Sequence, residues 1–231
     1  MRVIHDRYSD RSAAPALLVL LPGAMQQPED LLSAGFAAAV RARGLPIDLA
    51  LVDLGPQFIG ETGNGTIVRQ LHEMLQQQIA LHAYQHIWIA GISIGGAIAA
   101  AYADTYAAEA SSRIRGLCLL APYPGSRMII KAIREAGGLA HWSPEQSADM
   151  DDSAFRLWRW LKHYRNTGPR LYLGYGLQDR FTPGLALMAE AVDANCLATI
   201  PGGHDLPAWQ RLWETFLNRW APALDPNTER A

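Results

Sequence analysis

Three residues far apart in the chain have the types that acyl transfer requires. Ser93 is the centre of Gly91-Ile92-Ser93-Ile94-Gly95, a G-x-S-x-G pattern. Asp179 closes Gly176-Leu177-Gln178-Asp179, and His204 lies in Gly202-Gly203-His204-Asp205. A serine hydroxyl is a poor nucleophile at neutral pH. An imidazole must take its proton during attack and later deliver one to the leaving group. A carboxylate must hold that imidazole in the right tautomer and stabilise its cation. Other partners are present. Asp53 also ends an apolar run and is the reserve acid. His72, His82 and His86 lie in or near the helix before the serine, and His141 and His163 lie further on. Asp205 adjoins His204, but sequence neighbours rarely face each other well, so helix capping is its expected role.

The G-x-S-x-G pattern arises by chance in glycine- and serine-rich loops, so its setting decides its weight. Residues 87–90 are apolar, β-branched and aromatic, as in a buried strand. The alanine-rich run after the motif favours a helix. A strand, one sharp turn and a helix force the central serine into a strained backbone that lifts its hydroxyl clear of the sheet. Gly91 and Gly95 lack a Cβ and let strand and helix approach closely. The N–H of Ile94 then lies at a helix N-terminus, where it can meet an oxyanion. The alternative is a tight turn with an idle serine.

The remaining elements place the other two residues. The continuous apolar run at 16–21 reads as a strand buried on both faces, 47–54, 114–121, 170–175 and 196–200 read as further strands, and 2–8 reads as an edge strand or loose arm. Helical spacing covers 29–43, 66–84, the stretch from the serine to 110, a helix opening at Thr182-Pro183 and running to 193, and a final helix capped by Asp205. Alternating strands and helices predict an α/β fold with a mainly parallel central sheet flanked by helices. Ser93, Asp179 and His204 each follow a strand, at the carboxyl edge where such sheets gather functional groups. Residues 126–166 hold no clear strand, with helices expected near 127–136 and 144–164. They read as a small helical cap inserted in a single domain spanning 1–231, or else as ordinary sheet-flanking helices.

Composition narrows the classes. The chain has 231 residues, a formal net charge of −2, 49% hydrophobic and 18% charged residues, which suits one globular domain with ample core. That balance gives no electrostatic case for nucleic acid or an anionic membrane. No stretch approaches the roughly 20 apolar residues of a membrane span, and the polar first dozen residues lack the pattern of a signal peptide. Cys118 and Cys196 sit in apolar runs and read as reduced core thiols. No Cys/His spacing suits a metal. The expectations are a cytoplasmic setting and no metal or organic cofactor.

Four motifs in order, LPGAM at 21–25, GISIGG at 91–96, GLQD at 176–179 and GGHD at 202–205, resemble the α/β-hydrolase superfamily, specifically a small esterase- or thioesterase-like member. The resemblance spans nearly the whole expected sheet. It implies a Ser93–Asp179–His204 triad with Ile94 and either Ala24 or Met25 as oxyanion donors, Ala24 being slightly preferred. Many relatives carry His-Gly where this chain has Pro22-Gly23; the donor is a backbone N–H, so the exchange need not abolish the site. The implied activity is hydrolysis of a small-molecule carboxylic ester or thioester through an acyl-serine. The same scaffold supports acyltransferases, C–C hydrolases and lyases, and a non-catalytic binding protein is the remaining reading. In the cap, Phe155 and Trp158, with Trp142, Trp160 and Tyr164, could line an apolar acyl pocket, and Tyr123 stands beside it. The same aromatics could instead form a surface for a homodimer. Arg127, Lys131, Arg134, Arg156, Arg159, Lys162 and Arg165 could favour an acidic substrate or a phosphate-bearing thiol carrier, or be a solvated face.

Overall fold

The computed structural model describes residues 1–9, 14–109, 112–144, 152–164 and 168–225. Inside the sheet lies strand β2 (Ala16–Leu21), in which all six residues are buried. The run looks uniform in sequence, yet its side chains alternate. Leu17, Val19 and Leu21 enter one core, and Ala16, Leu18 and Leu20 enter a second on the opposite face. A strand apolar at every position needs cover on both faces, which is why the sheet is a middle layer.

The other strands are β1 (Arg2–Asp6), β3 (Ile47–Asp53), β4 (His86–Ile92), β5 (Ile114–Leu120), β6 (Arg170–Gly176) and β7 (Leu197–Ile200). They lie in the order β1-β3-β2-β4-β5-β6-β7. Strand β1 runs antiparallel to β3, and every other pairing is parallel. The expected class, a mainly parallel sheet flanked by helices, is the one observed.

One face is covered by α4 (Thr66–His82), α5 (Ile94–Tyr106), α7 (Ser153–His163) and α8 (Thr182–Ala189). The other is covered by α1 (Pro28–Ser33), α2 (Phe36–Arg41) and α9 (Leu206–Leu224). The aromatic stripe of α9 is core: Trp213 and Phe216 pack with Trp88, Tyr172 and Phe36. Trp88 lies over Gly116, where a Cβ would come within 2.2 Å of the indole. Asp205 caps α9 by accepting the Ala208 N–H, as expected.

Several boundaries differ from the sequence reading. The helix expected over 29–43 is two helices, because Gly35 takes a left-handed φ of 85° between them. The loop at 55–65 contains a short helix, α3 (Phe58–Glu61), whose Phe58 is buried. The helix after the serine stops at Tyr106, and α8 opens at Thr182 but ends at Ala189, short of 193. In the segment read as a cap, α6 (Arg127–Glu135) is capped by Ser126. Helix α7 packs on α5: Arg159 Nε donates to Asp104 at 3.0 and 3.1 Å, and Arg156 Nη1 to Thr105 Oγ1 at 2.8 Å. Most of the earlier part of the helix expected over 144–164, and Arg165, lie outside the described residues.

Asp48, on β3, is fully buried. It accepts the Tyr8 N–H at 3.0 Å, the Ala14 N–H at 3.2 Å and the Tyr84 hydroxyl at 2.8 Å. Burial and this carboxylate raise the Tyr84 pKa well above its ordinary value. Asp48→Ala removes one carboxylate and leaves three donors without their acceptor, two of them buried. It is expected to cost about 3 kcal/mol, lowering Tm by roughly 6–10 °C in a thermal melt. Tyr84→Phe, which removes only one bond, is expected to cost about 1 kcal/mol.

Candidate active site

Strand β4 ends at Ile92 and α5 begins at Ile94, leaving Ser93 alone to reverse the chain. Its φ of 53° and ψ of −115° lie where non-glycine residues are strained, at a cost of about 1–3 kcal/mol. Hydrogen bonds from three directions hold it there. Its N–H donates to the Leu120 carbonyl at 2.9 Å, and its carbonyl accepts from Gly96 at 3.0 Å and from Tyr123 at 2.8 Å. The glycines are required by contact. A Cβ on Gly91 would lie 2.2 Å from the Gly95 carbonyl oxygen, and one on Gly95 would lie 2.5 Å from that of Pro22.

Strand β6 delivers Asp179 and β7 delivers His204 to the same edge. His204 Nε2 lies 2.8 Å from Ser93 Oγ, and His204 Nδ1 lies 2.7 Å from Asp179 Oδ2. The other carboxylate oxygen accepts the Phe181 N–H at 2.8 Å, so the carboxylate cannot turn away. The side chains of His204 and Asp179 are 5% and 0% exposed, which shields the pair from water. With Nδ1–H donated to aspartate, Nε2 is left to accept the serine proton. Such an arrangement can activate a hydroxyl for attack on a carbonyl.

The Ile94 N–H is the first of α5 and has no intrahelical acceptor. Beside it lies the turn Gly23–Gln26. The Gly23 N–H is taken by Gln26 Oε1 at 2.8 Å, and Gln26 N–H returns to the Gly23 carbonyl at 3.3 Å. Met25 carries a φ of 62° and an exposed side chain. Ala24 and Met25 have no hydrogen bond from their N–H groups to the described residues, so both remain available as donors.

The other expected residues fall elsewhere. Asp53, the reserve acid, bonds Arg2 and the Gly55 N–H. His72 stacks on Tyr106, His82 meets Arg7, and His163 faces the Arg159 carbonyl. Tyr123 and Phe155 line a cavity of about 920 Å³ together with His141 and Trp142. Trp158 does not line it. The residue is fully buried and donates its indole N–H to the Pro124 carbonyl at 2.8 Å, bracing the loop after β5. Trp142, Phe155, Trp158 and Trp160 are all buried within the chain, so they offer no aromatic face to a second copy.

Sequence reasoning missed the residues around the imidazole. Phe181 and Trp209 meet the His204 ring edge-on from centroid distances of 4.9 and 5.2 Å. Trp209 has the helical spacing of the α9 core stripe, and nothing in that spacing separates the two roles. Gln178 Oε1 accepts the Gly202 N–H at 2.6 Å, and Gln178 N–H donates to the Gly202 carbonyl at 2.9 Å. This clasp ties the Asp179 loop to the His204 loop. Cys118 and Cys196 are unpaired and buried, and burial raises both thiol pKa values, which disfavours thiolate chemistry. Among the described residues no three His, Cys, Asp or Glu side chains stand together as a metal would need, and no helix is long and apolar enough to cross a membrane.

The sequence matches no protein-family model and no curated protein. Solved structures do match. Est1E from Butyrivibrio proteoclasticus superposes with a TM-score of 0.59 at 17% identity, over 95% of this chain and 94% of that one. An S-formylglutathione hydrolase from Agrobacterium tumefaciens gives 0.60 at 16%, over 92% and 85%. A monoacylglycerol lipase from Paleococcus ferrophilus gives 0.57 at 15%, over 97% and 100%. The chain therefore has the α/β-hydrolase fold implied by its four motifs. At these identities the likeness speaks for the fold and for nothing finer.

The close approach of the two loops gives a test of geometry. A Cβ at Gly176 would lie 2.2 Å from the Gly202 carbonyl oxygen. Gly176→Ala is expected to push the His204 loop from Asp179 and lower kcat/KM on an activated ester about 100-fold or more. Circular dichroism should still report a folded chain.

Proposed function

We propose that the protein is a serine hydrolase that cleaves a carboxylic ester or thioester through an acyl-serine. The observation that carries this reading is the unbroken hydrogen-bonded path Asp179–His204–Ser93, with the serine on a strained strand-to-helix turn. Ser93 Oγ attacks the carbonyl carbon while His204 Nε2 takes its proton. The N–H groups of Ile94 and of Ala24 or Met25 receive the oxyanion. His204 then returns the proton to the leaving alcohol or thiol. Water, activated by the same imidazole, releases the acid and restores the hydroxyl. Asp179 holds the ring through its bond to Nδ1. Tyr123 and Phe155 are the proposed substrate contacts, and Trp158 supports them from beneath. The esterase and hydrolase titles of the structural neighbours support ester cleavage as the general reaction, and the two unpaired thiols suit a reducing, cytoplasmic setting.

Ser93→Ala should lower turnover of a short-chain para-nitrophenyl ester by at least about 1000-fold. Asp179→Asn, which keeps the shape but offers the wrong tautomer partner, should lower it by roughly 10³–10⁴. Steady-state kinetics on folded variants decide. Full activity in Ser93→Ala would end the proposal.

A further inference from the structure

Helix α6 presents two chemically distinct faces to two cavities. Met128, Ile129 and Ala132 line the larger one, shared with Tyr123 and Phe155. Arg127, Lys131 and Arg134 recur at i, i+4 and i+7 and line a second cavity of about 580 Å³. Arg180 reaches that cavity from the loop after Asp179. Four cations thus meet one carboxylate, Glu135, which pairs with Lys131 at 3.5 Å. Among the described residues Arg127 and Arg180 have no carboxylate partner. The chain as a whole is slightly negative, with a net charge of −2, so this is a local concentration of positive charge.

The cavity adjoins the reacting groups through one side chain. Phe181 lines it, stands edge-on to His204 and lies 5.4 Å from Tyr123 by ring centroids. Its N–H is the one held by Asp179. The guanidinium of Arg180 lies over the same ring at 4.8 Å. Phe181 is therefore a wall common to this cavity and to the surroundings of His204. All four cations are exposed, and a surface concentration of one sign of charge raises the local concentration of an oppositely charged ligand.

We infer that the preferred substrate is an ester or thioester bearing a carboxylate or phosphate, which Arg127, Lys131, Arg134 and Arg180 hold beyond Phe181. The inference rests on the serine-hydrolase reading. The charge can sit on the acyl group or on the leaving group, and matched pairs separate the two. Para-nitrophenyl hydrogen adipate against para-nitrophenyl hexanoate tests the acyl arm. S-hexanoyl-phosphopantetheine against S-hexanoyl-pantetheine tests the leaving-group arm.

In at least one pair the anionic member should have the higher kcat/KM, and added salt should shrink the advantage. Arg127→Glu/Lys131→Gln should lower the anionic-to-neutral ratio about tenfold, whereas Glu135→Gln should raise it. A glutamate at the first position of α6 suits the helix dipole, so folding is not at stake. Arg69→Glu, on the exposed side of α4, removes a cation elsewhere and should leave the ratio in place. Cleavage of both pairs with no anionic preference, or a ratio that the α6 variants do not move, overturns the inference while leaving the hydrolase intact. Cleavage of no member of either pair overturns both.

Discussion

The strained peptide of Ser93 is the constraint on which the rest of the structure depends. An isolated residue would leave a φ of 53° and ψ of −115° at once. Here the neighbouring strand end holds it, through Leu120 on one side and Tyr123 on the other, while α5 begins from its carbonyl. Relaxing the serine would break bonds in three segments together. The strain is therefore stored by the sheet, and its effect is to stand the hydroxyl 2.8 Å from an imidazole.

Everything around that turn is arranged for close approach. Gly91 and Gly95 let strand, helix and the Gly23 turn come within contact of one another, and Gly176 does the same for the loops bearing Asp179 and His204. These contacts tolerate no extra carbon, whereas the two cores that support the sheet are ordinary apolar packing. Precision is concentrated at the carboxyl edge, and mass lies behind it. Trp158 belongs to the support. A fully buried indole bonded to the Pro124 carbonyl fixes the loop that separates the two cavities, which is different from touching a ligand.

The sheet and the meeting of Ser93, Asp179 and His204 at its carboxyl edge were legible in the sequence because each rests on local chemistry. Apolar runs mark strands buried on both faces, and Gly-x-Ser-x-Gly between a strand and a helix marks a forced turn. Asp179 and His204 followed from strand ends. What escaped depends on tertiary neighbours. Phe181 and Trp209 flank His204 only because two loops converge, and Trp209 has the same helical spacing as the core residue Trp213. Aromatic richness in 142–164 alone cannot tell a pocket lining from a core: Trp142 and Phe155 line a cavity, whereas Trp158 and Trp160 are core. The basic face of α6 was visible as charges. That it lines a cavity sharing a wall with His204 was not.

The central claim is that Ser93 is made nucleophilic by His204 in this geometry. Its most direct measurement is reaction of the folded protein with a fluorophosphonate, followed by tandem mass spectrometry of the peptides. The account predicts a single adduct on Ser93, formed within minutes and lost in a His204→Ala variant that keeps its fold. An unreactive serine in folded protein, an adduct on another residue, or undiminished labelling without His204 would contradict it.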